Sequence, residues 1–174
     1  MDHWTDMIAV MMSVKQDMQK YDKEKLWEYY LPETAAAESE IMEAESCLGF
    51  SLDPYYKEFL KHANGWKGFS QTIDLFGTEE LCQSEDMKYA NMILNAIENS
   101  VIGESLFSRD QLLPIAVTKM DKDLFVLTKR NSSSPGIVIW FAGEEVERFD
   151  NFKEFFLAMI DYNRDDLDYL KHLG

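Results

Sequence analysis

The sequence predicts a single α+β domain in which helices come first, an antiparallel or mixed β-sheet follows, and a helix closes the chain. Apolar residues recur at helical spacing through 3–99 and again after residue 151, whereas alternating or continuous apolar runs occupy 112–149. No regular helical crossovers separate those runs, which favours an antiparallel or mixed sheet. A chain of 174 residues is long enough to form one domain with a substantial core.

The first predicted helix covers 3–18, within an N-terminal helical extension at 1–25. Its apolar residues share one face: Trp4, Met7, Ile8, Met11 and Met18. This methionine-rich face either docks on the domain or serves as a partner surface, because methionine adapts to irregular neighbours. We favour docking, since an apolar helical stripe usually indicates burial. After a charged link at 22–25, we expect the segment 27–31 to start the next packed turn.

Two further helices are predicted before residue 66. The first runs from about 33 to 48 and places four residues on one face: Ala37, Ile41, Ala44 and Leu48. Gly49 is expected to end it. The next helix begins at Asp53, an N-cap residue, with Pro54 in the first position, where its missing N–H costs nothing. Its buried face consists of Tyr56, Phe59, Leu60 and Ala63, and Asn64–Gly65 ends it because both residues tolerate a positive φ.

The middle of the chain carries weaker signals. Residues 65–71 are predicted to form a turn and loop, and 72–76 a short strand that Gly77 closes. A helix at 85–99 follows, with Ser84 as its N-cap and acidic residues in its first turn. Its apolar face consists of Met87, Ala90, Leu94 and Ile97.

Four strands are predicted in the second half, at 112–117, 123–129, 137–142 and 145–149. Pro114 favours an edge position or a strand start for the first of them, because proline cannot donate to a β-ladder. The continuous apolar run at 137–142 favours a central strand. Residues 131–136 have the composition of a hairpin loop.

The closing helix is predicted to begin at Asn151, which stands at capping-box spacing from Glu154. One face is strongly apolar: Phe152, Phe155, Phe156, Met159 and Ile160. The tail after 160, and 163–174 in particular, either extends this helix or frays.

An ordered set of motifs spans about 26–160. A helix ends in E-x-x-L-G, and a short link leads to P-x-Y-K-x-F-L and then N-G; a Leu-Pro strand, a hairpin and an aromatic-rich helix follow. The motif residues are Glu45, Leu48, Gly49, Leu52, Pro54, Tyr56, Phe59, Leu60, Asn64 and Gly65. This order resembles the SUKH superfamily, which includes fungal cell-wall-synthesis regulators and bacterial toxin-immunity proteins. The chain departs from the family pattern in placing Asp53 between leucine and proline, and in carrying 119–122 where a Gly-rich turn is usual.

Cysteine usage and hydropathy bear on the compartment. Cys47 and Cys82 are far apart in sequence and predict no disulfide framework; Cys47 is expected to be a small buried hydrophobe. No apolar run approaches the ~20 residues that span a bilayer, and the N-terminus does not have the pattern of a signal peptide. We therefore expect a cytoplasmic protein.

The charge is strongly acidic. A formal net charge of −15 at pH 7, with a pI near 4.5, predicts repulsion from nucleic acid and anionic membranes and attraction to basic proteins. The acidic residues concentrate in three runs, at 33–58, 79–104 and 144–150. The simpler alternative is that the acidity only favours solubility.

The sequence contains no recognisable catalytic or metal-binding motif. Its three histidines, His3, His62 and His172, belong to no zinc pattern, and no phosphate-binding loop or nucleophile elbow is present. His62 lies in the last turn of a predicted helix, where it is expected to interact with the helix dipole. We therefore predict no catalytic residues, no metal and no cofactor. An enzyme acting on a small molecule stays a third alternative, because a pocket is not visible in a sequence.

These observations favour a non-enzymatic binding protein. The resemblance implies a bacterial immunity protein that neutralises a cognate toxin, often a nuclease, and an acidic surface suits occlusion of a basic active-site groove. The alternative is a regulatory or scaffold protein that binds cellular proteins without a toxin. The candidate partner-binding residues are one aromatic anchor, Trp66, and seven acids: Glu79, Glu80, Glu85, Asp86, Glu144, Glu145 and Glu147.

Overall fold

The computed structural model describes residues 3–173, which form seven α-helices, one 3-10 helix and six β-strands. The helices are α1 (His3–Tyr21), α2 (Glu38–Leu48), α3 (Pro54–Leu60), α4 (Thr78–Leu81), α5 (Glu85–Ala96), α6 (Asn99–Glu104) and α7 (Phe152–Leu173), with the 3-10 turn at Arg109–Gln111. The strands are β1 (Trp66–Ser70), β2 (Ile73–Leu75), β3 (Leu112–Val117), β4 (Asp123–Thr128), β5 (Val138–Ala142) and β6 (Glu144–Phe149). No helix within this range is long and apolar enough to cross a membrane.

The six strands form one antiparallel sheet in the order of the sequence, from β1 at one edge to β6 at the other. Helices cover both faces: α7, backed by α1 and α3, packs on one, and α5 packs on β3 and β4 on the other. The pleat of β4 shows this division, because Phe125 meets Phe155 of α7 with ring centroids 5.2 Å apart, while its neighbour Leu124 points to the opposite face. The predicted α+β class is confirmed.

An aromatic cluster joins α1, α3 and α7. The Trp4 ring lies 5.5 Å from Phe59 and 5.5 Å from Phe156, centroid to centroid, and Phe152 lies 5.3 Å from Phe59. Met11 and Met18 of α1 are 0% exposed. The apolar stripe of α1 therefore packs in the core, as its spacing favours.

The caps of α3, α5 and α7 match the sequence prediction. The carboxylate of Asp53 accepts the Tyr56 N–H at 3.1 Å, the Ser84 hydroxyl accepts from Met87, and the Asn151 side chain accepts from Glu154 at 2.9 Å. The tail extends α7 as far as Leu173.

The start of α2 is five residues later than predicted. Residues 33–36 form neither helix nor strand, and the Ala36 N–H donates to the Leu60 carbonyl at 2.8 Å, which holds this backbone out of the helix. Ala37 therefore becomes the N-cap residue and is exposed. The expectation that Ala37 lies on the buried face is wrong.

The packed turn expected at 27–31 is also absent. The carboxylate of Asp22 accepts the backbone N–H groups of Leu26 at 2.8 Å and Trp27 at 3.2 Å, so it ties this segment down without helix or strand. Leu31 is 67% exposed.

The loop predicted at 65–71 contains β1, which pairs Trp66 with Leu75 and Ser70 with Ile73. A bulge between these pairs places Gly68 at φ 57°, where its N–H donates to the Asp74 carboxylate at 2.8 Å. The bulge breaks the period-2 alternation by which a strand is recognised. Helices α4 and α6 were not predicted, because four and six residues are too few for a helical stripe.

The edge position inferred for β3 from Pro114 is wrong, since β3 lies between β2 and β4. The proline is tolerated because the β3–β4 register shifts between Pro114 and Ala116, which indicates a bulge. The first half of β3 also extends past β2, which pairs only with Ala116 and Val117.

The cysteine prediction is wrong as well. Cys47 and Cys82 form a disulfide, with Cα atoms 5.8 Å apart, that links the end of α2 to the end of α4. Cys47 is exposed. The partners are 35 residues apart, and the intervening α3, β1 and β2 bring them together. Because disulfides persist mainly in oxidising compartments, cysteine usage no longer supports a cytoplasmic location.

Candidate functional site

Trp66 is not available to a partner. Its side chain is 1% exposed, and its indole Nε1 donates to the Tyr30 carbonyl at 2.9 Å. The ring lies 6.5 Å from Phe156. The expectation that Trp66 anchors an interface is therefore wrong, because Trp66 lies on the core-facing side of β1.

The acids around α4 and α5 are largely engaged within the protein. Glu80 accepts the Gly77 N–H at 3.0 Å and so caps α4, Glu85 pairs with Lys88 at 3.0 Å, and Asp86 pairs with Lys119 at 2.6 Å. Glu79 is exposed in the first turn of α4. Internal pairing reduces the charge that this segment offers a partner.

The acids of β6 differ from one another in their surroundings. Glu147 accepts the Tyr162 hydroxyl at 2.6 Å, a hydrogen bond that raises the pKa of Tyr162 to about 12. Glu145 pairs with Arg148 on the same strand. Glu144 is exposed at the start of the strand.

The fold assembles an acidic cleft from two of the acidic runs. The cleft has a volume of about 440 Å³ and lies between α6 and the β5–β6 turn. Its carboxylates are Glu98, Glu104, Glu144 and Glu145, and Ser100, Val101 and Ser105 complete the lining. The predicted acids Glu144 and Glu145 thus come together, whereas those of α4 and α5 do not line this cleft.

Sequence reasoning missed Glu98 and Glu104 as site residues, although both belong to the acidic run 79–104. Glu98 is the N-cap residue of α6 and Glu104 is its last residue, and this short helix gives no signal in the sequence. Recognising the site required knowing that α6 packs beside β6: the Arg148 guanidinium of β6 donates to the Ser105 carbonyl at 3.1 Å, just after α6 ends.

An apolar pocket adjoins the acidic cleft. It has a volume of about 430 Å³ and shares Glu98, Val101 and Glu144 with the cleft. The rest of its lining comes mainly from the second half of α5: Ile93, Ala96, Ile97, with Lys122 and Gly143. Carboxylates therefore border an apolar surface, an arrangement typical of protein–protein interfaces.

Leu106 stands beside the cleft residue Ser105 and is 82% exposed. Its φ of 70° is rare for a bulky side chain. The Arg148 guanidinium lies 5.8 Å from the Phe107 ring centroid, so contacts on both sides hold the Leu106 backbone in place. The result is a large apolar side chain presented to solvent next to a residue of the acidic cleft.

Among residues 3–173, no group of three or more histidine, cysteine or acidic side chains could hold a metal ion. His62, in the turn after α3, contacts the Glu58 carbonyl through Nδ1 at 2.8 Å, which agrees with an interaction at the helix C-terminus.

Two residues of the SUKH-like motif, Asn64 and Glu45, form hydrogen bonds that stabilise the fold. The Asn64 side chain accepts the Thr78 N–H at 2.7 Å and donates to its hydroxyl at 2.9 Å. A Cβ at Gly77 would lie 2.1 Å from the Asn64 carbonyl oxygen, so only glycine fits there. Glu45 accepts the Leu52 N–H at 2.7 Å and holds the link after α2.

The fold and these surfaces define an acidic α+β protein with a six-stranded antiparallel meander between helical layers. The model of the SMI1 / KNR4 family (SUKH-1) matches residues 35–158, and the chain belongs to that family. No curated protein matches the chain. The matched region begins after α1, yet α1 contributes Trp4 and Met11 to the core.

Proposed function

We propose that this protein is a bacterial immunity protein that binds and neutralises a cognate toxin by covering its basic active-site surface.

 The toxin class proposed is a nuclease, whose phosphate-binding groove is basic and therefore complementary to an acidic surface. The single observation that carries the proposal is the joining of Glu98, Glu104, Glu144 and Glu145 in one cleft beside an apolar surface. Membership of the SUKH-1 family supports it.

The proposed mechanism is occlusion, without catalysis by this chain and without a cofactor. The carboxylates of the cleft steer a basic partner and pair with its lysine and arginine side chains. The adjoining apolar pocket and Leu106 supply the area from which water is excluded. The proposal places the encounter in the cytoplasm, which requires the Cys47–Cys82 disulfide to withstand the reducing conditions there. It assigns no nucleic-acid or membrane partner, because the net charge of −15 repels both.

The experiment is capture of a partner from the source cells by the tagged full chain, followed by a salt titration of the purified complex. We expect one basic protein, with an affinity that falls by about tenfold or more between about 0.05 M and 0.3 M salt. Capture of several unrelated proteins would indicate the regulatory or scaffold role instead. A bound small molecule with no protein would favour the enzyme alternative.

A matched pair of variants locates the surface. Glu98→Gln, Glu104→Gln and Glu144→Gln together remove three exposed charges from the cleft. The control changes three exposed acids elsewhere: Glu24→Gln, Glu33→Gln and Glu43→Gln. We expect the cleft variant to lose most of the binding and most of its salt dependence, and the control to lose little. Equal losses would contradict a role for the cleft.

A further inference from the structure

A second concave surface lies away from the acidic cleft. Two adjoining cavities of about 470 and 370 Å³ share Phe50, Leu113 and Lys129 and therefore form one continuous groove, called here the basic groove. The link between α2 and α3, the first half of α5, strands β3 and β4, and the β4–β5 loop surround it. The groove exists because β2 pairs only with Ala116 and Val117 and leaves the first half of β3 uncovered on that side.

The floor of the basic groove is apolar. Phe50 and Leu113 lie at its middle, where the two cavities meet. Leucine side chains extend this floor on both sides, among them Leu52, Leu81, Leu112 and Leu127. A floor of this kind accepts the apolar side chains of an extended segment.

The rim of the basic groove reverses the charge balance of the chain. The whole sequence has 17 basic residues against 32 acidic ones. The groove is lined by Lys88, Lys129 and Arg130 against one carboxylate, Asp53. Lys88 pairs with Glu85, so Lys129 and Arg130 are the cations that exceed Asp53 and give this lining a net charge opposite in sign to that of the protein.

The two cations nearest the middle form no salt bridge with a residue of the described range. The Lys129 ammonium lies 4.8 Å from the Phe50 ring centroid and is partly buried; burial lowers its pKa, although the Asp110 carboxylate opposes this. The Arg130 guanidinium interacts with the Glu45 and Asp53 carboxylates only at longer range. Asp53 is already committed to capping α3. A partly desolvated cation gains more from a new carboxylate than an exposed one does.

We propose that the basic groove binds an extended acidic segment of a partner protein. Carboxylates of that segment meet Lys129 and Arg130, and its alternate apolar side chains lie against Phe50 and Leu113. This interaction is independent of the proposed toxin neutralisation, because the acidic cleft would repel the same segment.

The test uses the ¹⁵N-labelled full chain at low salt and two blocked hexapeptides. One alternates leucine with glutamate and the other leucine with lysine. We expect the glutamate peptide to shift the backbone amide resonances of Phe50, Leu113 and Lys129 in a saturable manner. The lysine peptide should leave those resonances unchanged and act instead near Glu144. No saturable shift at the groove, or equal shifts with both peptides, overturns the proposal.

Charge variants give a second readout. Lys129→Ala with Arg130→Ala should weaken binding of the glutamate peptide by about tenfold. The control, Lys23→Ala with Arg164→Ala, makes the same change in net charge at two exposed positions outside the groove and should leave the affinity within about twofold. The same spectra show whether each variant is folded. Equal weakening by the control would mean that only overall charge matters and would also overturn the proposal.

Discussion

Lys15 is a charged side chain in an almost completely buried position, 5% exposed. Its ammonium donates to the Phe69 carbonyl at 3.0 Å and to Asn163 Oδ1 at 3.4 Å, and so connects α1 with β1 and α7. Burial lowers the pKa of Lys15 to about 8, although the Asp166 carboxylate opposes the change. The folded state therefore favours the neutral amine more than the unfolded state does.

This pKa predicts a pH dependence of stability. Between about pH 8 and the unfolded value of 10.5, the unfolded chain holds a proton that the folded protein has lost, so the contribution of Lys15 to the free energy of unfolding rises with pH. Below pH 8 both states are protonated and the contribution is constant. Urea unfolding of the protein and of Lys15→Met at pH 7 to 9.5 checks this. The protein should gain stability relative to the variant as the pH rises; a constant difference would contradict the assigned pKa.

One methyl group added at Gly77 should have a large effect on stability. A Cβ at this position would lie 2.1 Å from the Asn64 carbonyl oxygen. The hydrogen bond from the Thr78 N–H to the Asn64 side chain holds the two segments together, so neither backbone can move away easily. We expect Gly77→Ala to lower the free energy of unfolding by about 3 kcal/mol. The control is Gly103→Ala in α6, where no atom lies within 4 Å and the change should stabilise by up to about 1 kcal/mol. Urea unfolding measures both, and equal effects would be inconsistent with the close approach at Gly77.

The disulfide joins two elements, α2 and α4. It closes a loop of 35 residues between α2 and α4. In the oxidised protein we expect Cys47→Ser with Cys82→Ser to cost about 3–4 kcal/mol, mainly because the unfolded chain regains the freedom that the closed loop removes.

Denaturant unfolding with and without a thiol reductant measures the contribution of the disulfide. Reduction should lower the stability of the protein to that of the double variant and leave the variant itself unchanged. Two thiols that react with an alkylating reagent in the native, unreduced protein would contradict the bond.

Whether a helix or strand could be predicted from the sequence depends on its length and on the regularity of its apolar pattern. Helices α1, α5 and α7 were predictable because each is more than eleven residues long, so apolar residues recur at helical spacing over several turns. Strand β1 was not, because the bulge at Gly68 interrupts its alternation. The beginning of α2 was mispredicted because long-range hydrogen bonds of 33–36 override a local preference for helix.

For the whole molecule, the net charge of −15 predicts a dependence of stability on salt. Compact folding brings like charges together, and added salt screens their repulsion. We expect the thermal midpoint to rise by roughly 2–4 °C between about 0.01 M and 0.3 M sodium chloride at pH 7. Near pH 4.5, the pI of the sequence, the shift should be smaller or reversed. A salt effect of the same size at both pH values would mean that self-repulsion is not its cause.

The α+β class, the order of the main elements, most of the core and the family are predictable from the amino-acid sequence, because each depends on patterns that repeat locally or follow one another along the chain. Which charges act together depends instead on the folded chain. Folding buries Trp66, engages Glu80 and Asp86 internally, and joins Glu98 to Glu144 in one cleft. The physical reason is that the side of a strand, the partner of a carboxylate and the pairing of distant cysteines depend on contacts between residues far apart in sequence, which no local period records.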